Sequence, residues 1–150
     1  MENNKETVKL AAEIKRKAIN ATVENLDILS KGHFSTLHIG LSDVELKRRR
    51  KSEASTFCSH EAVNYALAKI FEDDITVLKV AEWVISGKEP RMELCTSYLF
   101  ENPLGKVKYA CGEIVDAYFP IFVIQKLDSK WDRNRVTGMP FEFVTAYIEE

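Results

Sequence analysis

The order of hydrophobic periods along this 150-residue chain constrains its fold more than any other feature. Up to about Pro90 the apolar residues recur at helical spacing; beyond it they alternate. "KETVKLAAEIKRKAINATVENL" (5–26) places Leu10, Ile14, Ala18 and Ala21 on one stripe and predicts one amphipathic helix. "SKGHFSTLHIGLSD" follows, its Gly32 and Gly40 predicting loop or short strand. "SDVELKRRR" predicts a second helix, capped by Ser42 with Glu45 completing a capping box. "SHEAVNYALAKIFED" predicts a third, with Ala62, Ala66 and Ile70 on one stripe beside Val63 and Leu67. "TVLKVAEWVISG" predicts a fourth, from a Thr76 cap to a stop at Gly87. After Pro90, "RMELCTSYLF", "KVKYACGEIV", "YFPIFVIQKL" and "FEFVTAYI" read as strands, with "NPLG" as a turn and 128–140 as a long polar loop. Pro120 belongs at a strand start or edge. Helices first and antiparallel strands afterwards make an α+β fold.

The length fits one core, and no apolar run approaches the ~20 residues of a membrane span. "MENNKETVKL" contains no hydrophobic signal core, so no secretion signal of the chain's own is expected. A net charge of -2 does not point to nucleic acid, yet the basic residues bunch in "LKRRRK" (46–51), where a polyanion could bind locally. Three cysteines, Cys58, Cys95 and Cys111, are an odd number at spacings unlike a zinc site, and read as reduced thiols. No metal or cofactor is expected.

The residues that carry chemistry are His, Arg and hydroxyls. His60 falls in the first turn of its helix, where a surface role is expected. His33 and His38 lie in the Gly-flanked stretch, where proton-transfer groups are commonly placed. Arg48, Arg49 and Arg50 offer a planar, permanently charged phosphate clamp. Alternation at the C-terminus sends Val144, Ala146 and Ile148 into the core and turns Phe143, Thr145 and Tyr147 to the other face. A base or acid, an anion clamp and hydroxyls together suit phosphoryl transfer without a metal. Walker-type glycine loops, H-E-x-x-H and G-x-S-x-G are absent from the sequence.

Five blocks then follow in order: "HIGLSDVELKRRR", "EASTF", "HEAVNYALAKI", "VAEWVISGK" and "FVTAYI". This succession resembles the bacterial ribonuclease-A-like toxin domain at the C-terminal tip of contact-dependent growth inhibition proteins, from about His33 to Tyr147. Leu41 stands where that family has Lys, and Ile148 where Pro often follows T-A-Y. "MENN" is similar to the V-E-N-N motif that opens such toxin regions. The resemblance implies an N-terminal helical segment (1–30) and a toxin domain (31–150). The implied fold packs N-terminal helices on a bent antiparallel sheet, ribonuclease-A-like without disulfides. It implies His38, Arg49, Thr145 and Tyr147 as catalytic residues, with Arg48, Arg50 and His33 binding substrate. It implies cleavage of RNA, not DNA, by 2′-OH transesterification to a 2′,3′-cyclic phosphate, with either proton-transfer role open to His38. It further implies a cognate immunity protein, and delivery on a large secreted surface protein into the cytoplasm of a target bacterium. The alternative is a non-catalytic RNA- or partner-binding module, or an immunity protein.

Overall fold

The computed structural model describes residues 2–30, 33–49 and 54–150. Its helices are α1 (Glu2–Lys17), α2 (Val23–Ser30), α3 (His33–His38), α4 (Asp43–Lys47), α5 (His60–Glu72) and α6 (Asp74–Ser86). Its strands are β1 (Ala54–Phe57), β2 (Arg91–Leu94), β3 (Gly105–Lys108), β4 (Ile114–Ala117), β5 (Phe119–Lys126) and β6 (Phe141–Glu149). The strands form two antiparallel sheets of three, in the orders β1-β3-β4 and β2-β5-β6. They meet where β1 runs beside β6, and Ile148 N donates to Ser55 Oγ at 3.1 Å. The α+β architecture is the expected one.

Phe57 from one sheet and Phe122 from the other stack at 5.8 Å between ring centroids, both fully buried. Around them pack Ile14 of α1, Leu67 and Ile70 of α5, and Val80 of α6, so helices from both ends of the helical region share one core. Within the first sheet, β1 and β3 approach this closely because Gly105 is a glycine. A Cβ there would lie 2.0 Å from the Thr56 carbonyl oxygen across the β1–β3 ladder.

Local structure departs from the sequence reading where side chains cap the backbone from a distance. The single helix expected over 5–26 is two. A 3-10 turn (Ala18–Asn20) ends α1 and α2 begins afresh at Val23, whose N–H donates to Asn64 Oδ1 of α5 at 2.9 Å. The stretch holding both candidate histidines is helical. Asp27, eight residues upstream of Ser35, accepts from Ser35 N at 2.8 Å and Ser35 Oγ at 2.7 Å, while Ser30 Oγ accepts from Phe34 N. Gly40, at φ +71°, stands past the end of this short helix in the bend and irregular stretch that lead to Ser42, as its sequence position suggests. In α6 the cap is Asp73, not Thr76: its carboxylate takes the N–H groups of Ile75 and Thr76, and Thr76 Oγ1 donates instead to the Cys95 carbonyl. The Ser42–Glu45 capping box is present in full. "KVKYACGEIV" is a hairpin, turned at Gly112 with φ +89°. Cys58, Cys95 and Cys111 are free thiols. Among the described residues no helix is long and apolar enough to cross a membrane.

Candidate active site

His38 is the last residue of α3, and its position is fixed from β1. The buried Thr56 hydroxyl accepts from Leu41 N at 3.0 Å and lies 3.4 Å from the His38 carbonyl, to which it donates in competition with the Phe57 carbonyl. Gly40 N donates to Phe57 O at 2.7 Å, and Ile39 bridges Phe57 in parallel. One residue earlier, Ser55 holds Ile148 of β6. Side chains alternate along a strand, so adjacent hydroxyls of "ASTF" reach opposite ways, one gripping the His38 segment and the other β6. This positioning role was missed in the sequence, although the Ser-Thr pair was its signal.

Strand β6 carries a correction to the expected alternation. Thr145 pairs with Val123, but Phe143 pairs with Ile124, so Val144 is a β-bulge with no partner. Val144 is therefore 39% exposed, not core, while Phe143 packs against the core with Phe122 and Phe141. Beyond the bulge the phase is as expected, with Ala146 and Ile148 buried. Thr145 and Tyr147 share one face by alternation, and the bulge brings Glu142, opposite Gln125, onto that same face. Thr145 Oγ1 lies 3.3 Å from His38 Nε2. The imidazole also stands beside Phe34, with 5.2 Å between ring centroids.

Tyr147 is two residues along the same face. Burial, followed by the negative charge and hydrogen bond of Glu93, pushes its phenol up to about 12. At neutral pH it is a protonated hydrogen-bond donor and a poor proton source. Arg49 is half-buried just past α4, its carbonyl accepting from the buried Lys108 Nζ of β3 at 3.1 Å. Arg48 is the exposed C-cap of α4. Hydrogen bonds from Ser42 chiefly hold the nearby Glu45 carboxyl below its usual range, with the charges of Arg49 and Arg48 adding to this. Arg50 and the His33 side chain lie outside the described residues.

A cleft of about 750 Å³ opens from His38 between α2–α3 and the outer face of β2-β5-β6. Its walls include Phe34, Phe143 and Val144, and its rim carries Arg91, Arg133 and Arg135. The rim cations were not singled out in the sequence because two of them sit in the polar 128–140 loop. That loop is docked on α1. Arg133 donates to both Glu13 oxygens, at 2.6 and 3.1 Å, Lys17 Nζ to Glu13 Oε2 at 2.9 Å, and Asn20 Nδ2 to the Thr137 carbonyl at 3.0 Å. The Arg133 hydrogen bonds, reinforced by Lys17, hold the Glu13 carboxyl down to about 2. Among the described residues no three His, Cys, Asp or Glu side chains cluster closely enough to hold a metal ion.

No protein-family model matches the chain, and no curated protein does. A solved structure does match in fold. It is a chain of the CdiA-CT/CdiI complex from Y. kristensenii 33638, superposing with a TM-score of 0.61 at 17% identity. The superposition covers 79% of this chain and 100% of that one. The likeness is one of fold.

Proposed function

We propose that this chain is a metal-independent endoribonuclease toxin of contact-dependent growth inhibition, neutralised by a cognate immunity protein. The observation that carries the reading is the pairing of His38 with Thr145 at the mouth of an open, arginine-rimmed cleft. The matched complex contains two partners; a histidine positioned in an open cationic cleft supports the toxin side over the immunity side.

In this mechanism a base takes the proton of a ribose 2′-OH, and the freed oxygen attacks the adjacent phosphorus. The bond to the leaving 5′-oxygen then breaks as an acid protonates that oxygen, leaving a 2′,3′-cyclic phosphate. His38 is the proton-transfer group, because Tyr147 is held too high to release its proton at neutral pH. Thr145 orients the imidazole through Nε2. Tyr147 stays protonated as a hydrogen-bond donor, and Arg49 stabilises the charge that builds on the phosphorane. Arg48, Arg50 and His33 contribute to holding the RNA. Delivery on a secreted surface protein would place this activity in the cytoplasm of a competing bacterium.

The test is incubation of the purified chain with RNA and with matched DNA, both in excess EDTA. RNA is expected to be cut to cyclic-phosphate ends and DNA left intact. Equal cutting of DNA, or loss of activity in EDTA, would refute the proposal. His38→Ala is expected to abolish cleavage with an unchanged circular dichroism spectrum; an active variant would remove His38 from the mechanism.

A further inference from the structure

Three side chains line the cleft in one row across the sheet: Arg91 of β2, Gln125 of β5 and Glu142 of β6. Arg91 is the register partner of Gln125, and Gln125 that of Glu142, so all three project from the same face. All three line the cleft that His38 opens into. Arg91 Nε donates to Gln125 Oε1 at 3.0 Å. An arginine nitrogen only donates, so the contact fixes which end of the Gln125 amide is oxygen. The Gln125 –NH2 is then left as a donor beside Glu142. Glu142 is half-buried, and its side chain has no ion pair or hydrogen bond among the described residues. Its carboxylate is an acceptor pair next to a fixed amide donor, beside the apolar walls made by Phe34 and Phe143.

We propose that this row reads a guanine base. The Watson–Crick edge of guanine presents, in order, the O6 acceptor, the N1–H donor and the N2 amine donor. Gln125 –NH2 matches O6, and the two Glu142 oxygens match N1–H and N2–H together. Adenine and cytosine present one donor group beside a ring-nitrogen acceptor that would face the carboxylate. Uracil presents one donor between two acceptors. Guanine alone offers two adjacent donors to a single carboxylate. Glu142 and Thr145 stand opposite Gln125 and Val123, two residues apart across the Val144 bulge, so they lie about 7 Å apart along the strand on one face, a gap that a ribose phosphate and its own purine can span. The guanine is therefore that of the nucleotide whose 2′-OH attacks, and cleavage falls on its 3′ side. This rests on the ribonuclease reading for its cleavage arm but not for its binding arm.

The experiment uses the full chain and two readouts. By isothermal titration, guanosine 3′-monophosphate is expected to bind about 10- to 100-fold more tightly than adenosine or cytidine 3′-monophosphate. Glu142→Gln, which replaces an acceptor by a donor, is expected to remove that difference, and inosine 3′-monophosphate, lacking the N2 amine, to bind between the two. On a mixed-sequence RNA, cleavage is expected after G, and the ratio of cuts after G to cuts after A is expected to fall in Glu142→Gln by the same factor. Equal binding of the three mononucleotides, or an unchanged preference in the variant, overturns the guanine subsite even if RNA is cut. Selective guanosine 3′-monophosphate binding with no cleavage of any RNA supports the subsite and refutes the ribonuclease reading instead.

Discussion

Replacing Glu13 by Gln removes one negative charge from the junction of α1 and the 128–140 loop while nearly preserving the side chain's shape. The wild-type carboxylate receives two hydrogen bonds from Arg133 and one from Lys17. These lower it from its usual 4.5 to about 2. Taken at face value, that shift corresponds to about 3.4 kcal/mol at neutral pH. The two side chains retain 21% and 27% of their exposure, and solvent screening reduces the expected loss in Glu13→Gln to about 1–2 kcal/mol. The sign follows from the direction of the shift. A carboxyl depressed on folding contributes its stability above the unfolded value of 4.5 and loses it as pH falls toward 2. Urea denaturation of both proteins should therefore show a gap at pH 7 that narrows to about two-fifths at pH 3, with an unchanged denaturant slope. Because the same loop carries Arg135 at the cleft rim, RNA affinity should fall as well. A gap absent at pH 7, or undiminished at pH 3, would refute the claim that the charge of Glu13 docks the loop.

Thr56→Val keeps the shape of a buried residue and removes its bonds to Leu41 N and the His38 carbonyl. A loss of about 1–2 kcal/mol is expected, together with a fall in kcat at nearly constant KM; Thr56→Ser should restore kcat, and an unaffected kcat in the Val variant would deny Thr56 its positioning role. Tyr147, pushed up to about 12, stays protonated through pH 5–9, so Tyr147→Phe should lower kcat without moving either limb of the pH–rate profile; a shifted alkaline limb would show that Tyr147 titrates there. Phe122→Ala should cost about 3–5 kcal/mol by calorimetry, because Phe122 is fully buried between the two sheets against Phe57 and Phe143.

What could be read from the sequence was local and periodic. The third and fourth helices, the capping box and the C-terminal strand each declare themselves within a dozen residues. What could not be read depends on side chains arriving from elsewhere. Nothing inside "HFSTLH" announces a helix, because its cap is supplied by Asp27. The break at Ala18–Thr22 depends on Asn64, forty-one residues beyond the Val23 that it caps. The bulge at Val144 is invisible to a period-2 pattern, since either phase of "FEFVTAYI" has apolar residues to bury. Thr145 and Tyr147 could be placed on one face by spacing alone, but the approach of His38 Nε2 to Thr145 depends on β1 clipping two distant segments together. Arg91, Arg133 and Arg135 share no motif, and only folding gathers them at one rim.

That gathering also answers the objection that a chain with a net charge of -2 is ill suited to bind a polyanion. Net charge governs attraction at distances beyond the Debye length, about 8 Å at physiological salt, where contributions from the whole surface are already screened. Inside the cleft the nearest charges decide. Glu13 uses its charge on Arg133 and Lys17, away from the opening, and Asp27 spends its hydrogen-bonding capacity on the α3 backbone and Ser35. Arg135 forms no ion pair among the described residues and lines the cleft. Glu13 and Asp27 thus brace the framework, and Arg135 lines the cleft with its charge uncommitted among the described residues. Glu142 is the exception, an acceptor in the lining of a cationic cleft with no side-chain partner among the described residues, and an acceptor in that position suits the edge of a base better than its phosphate.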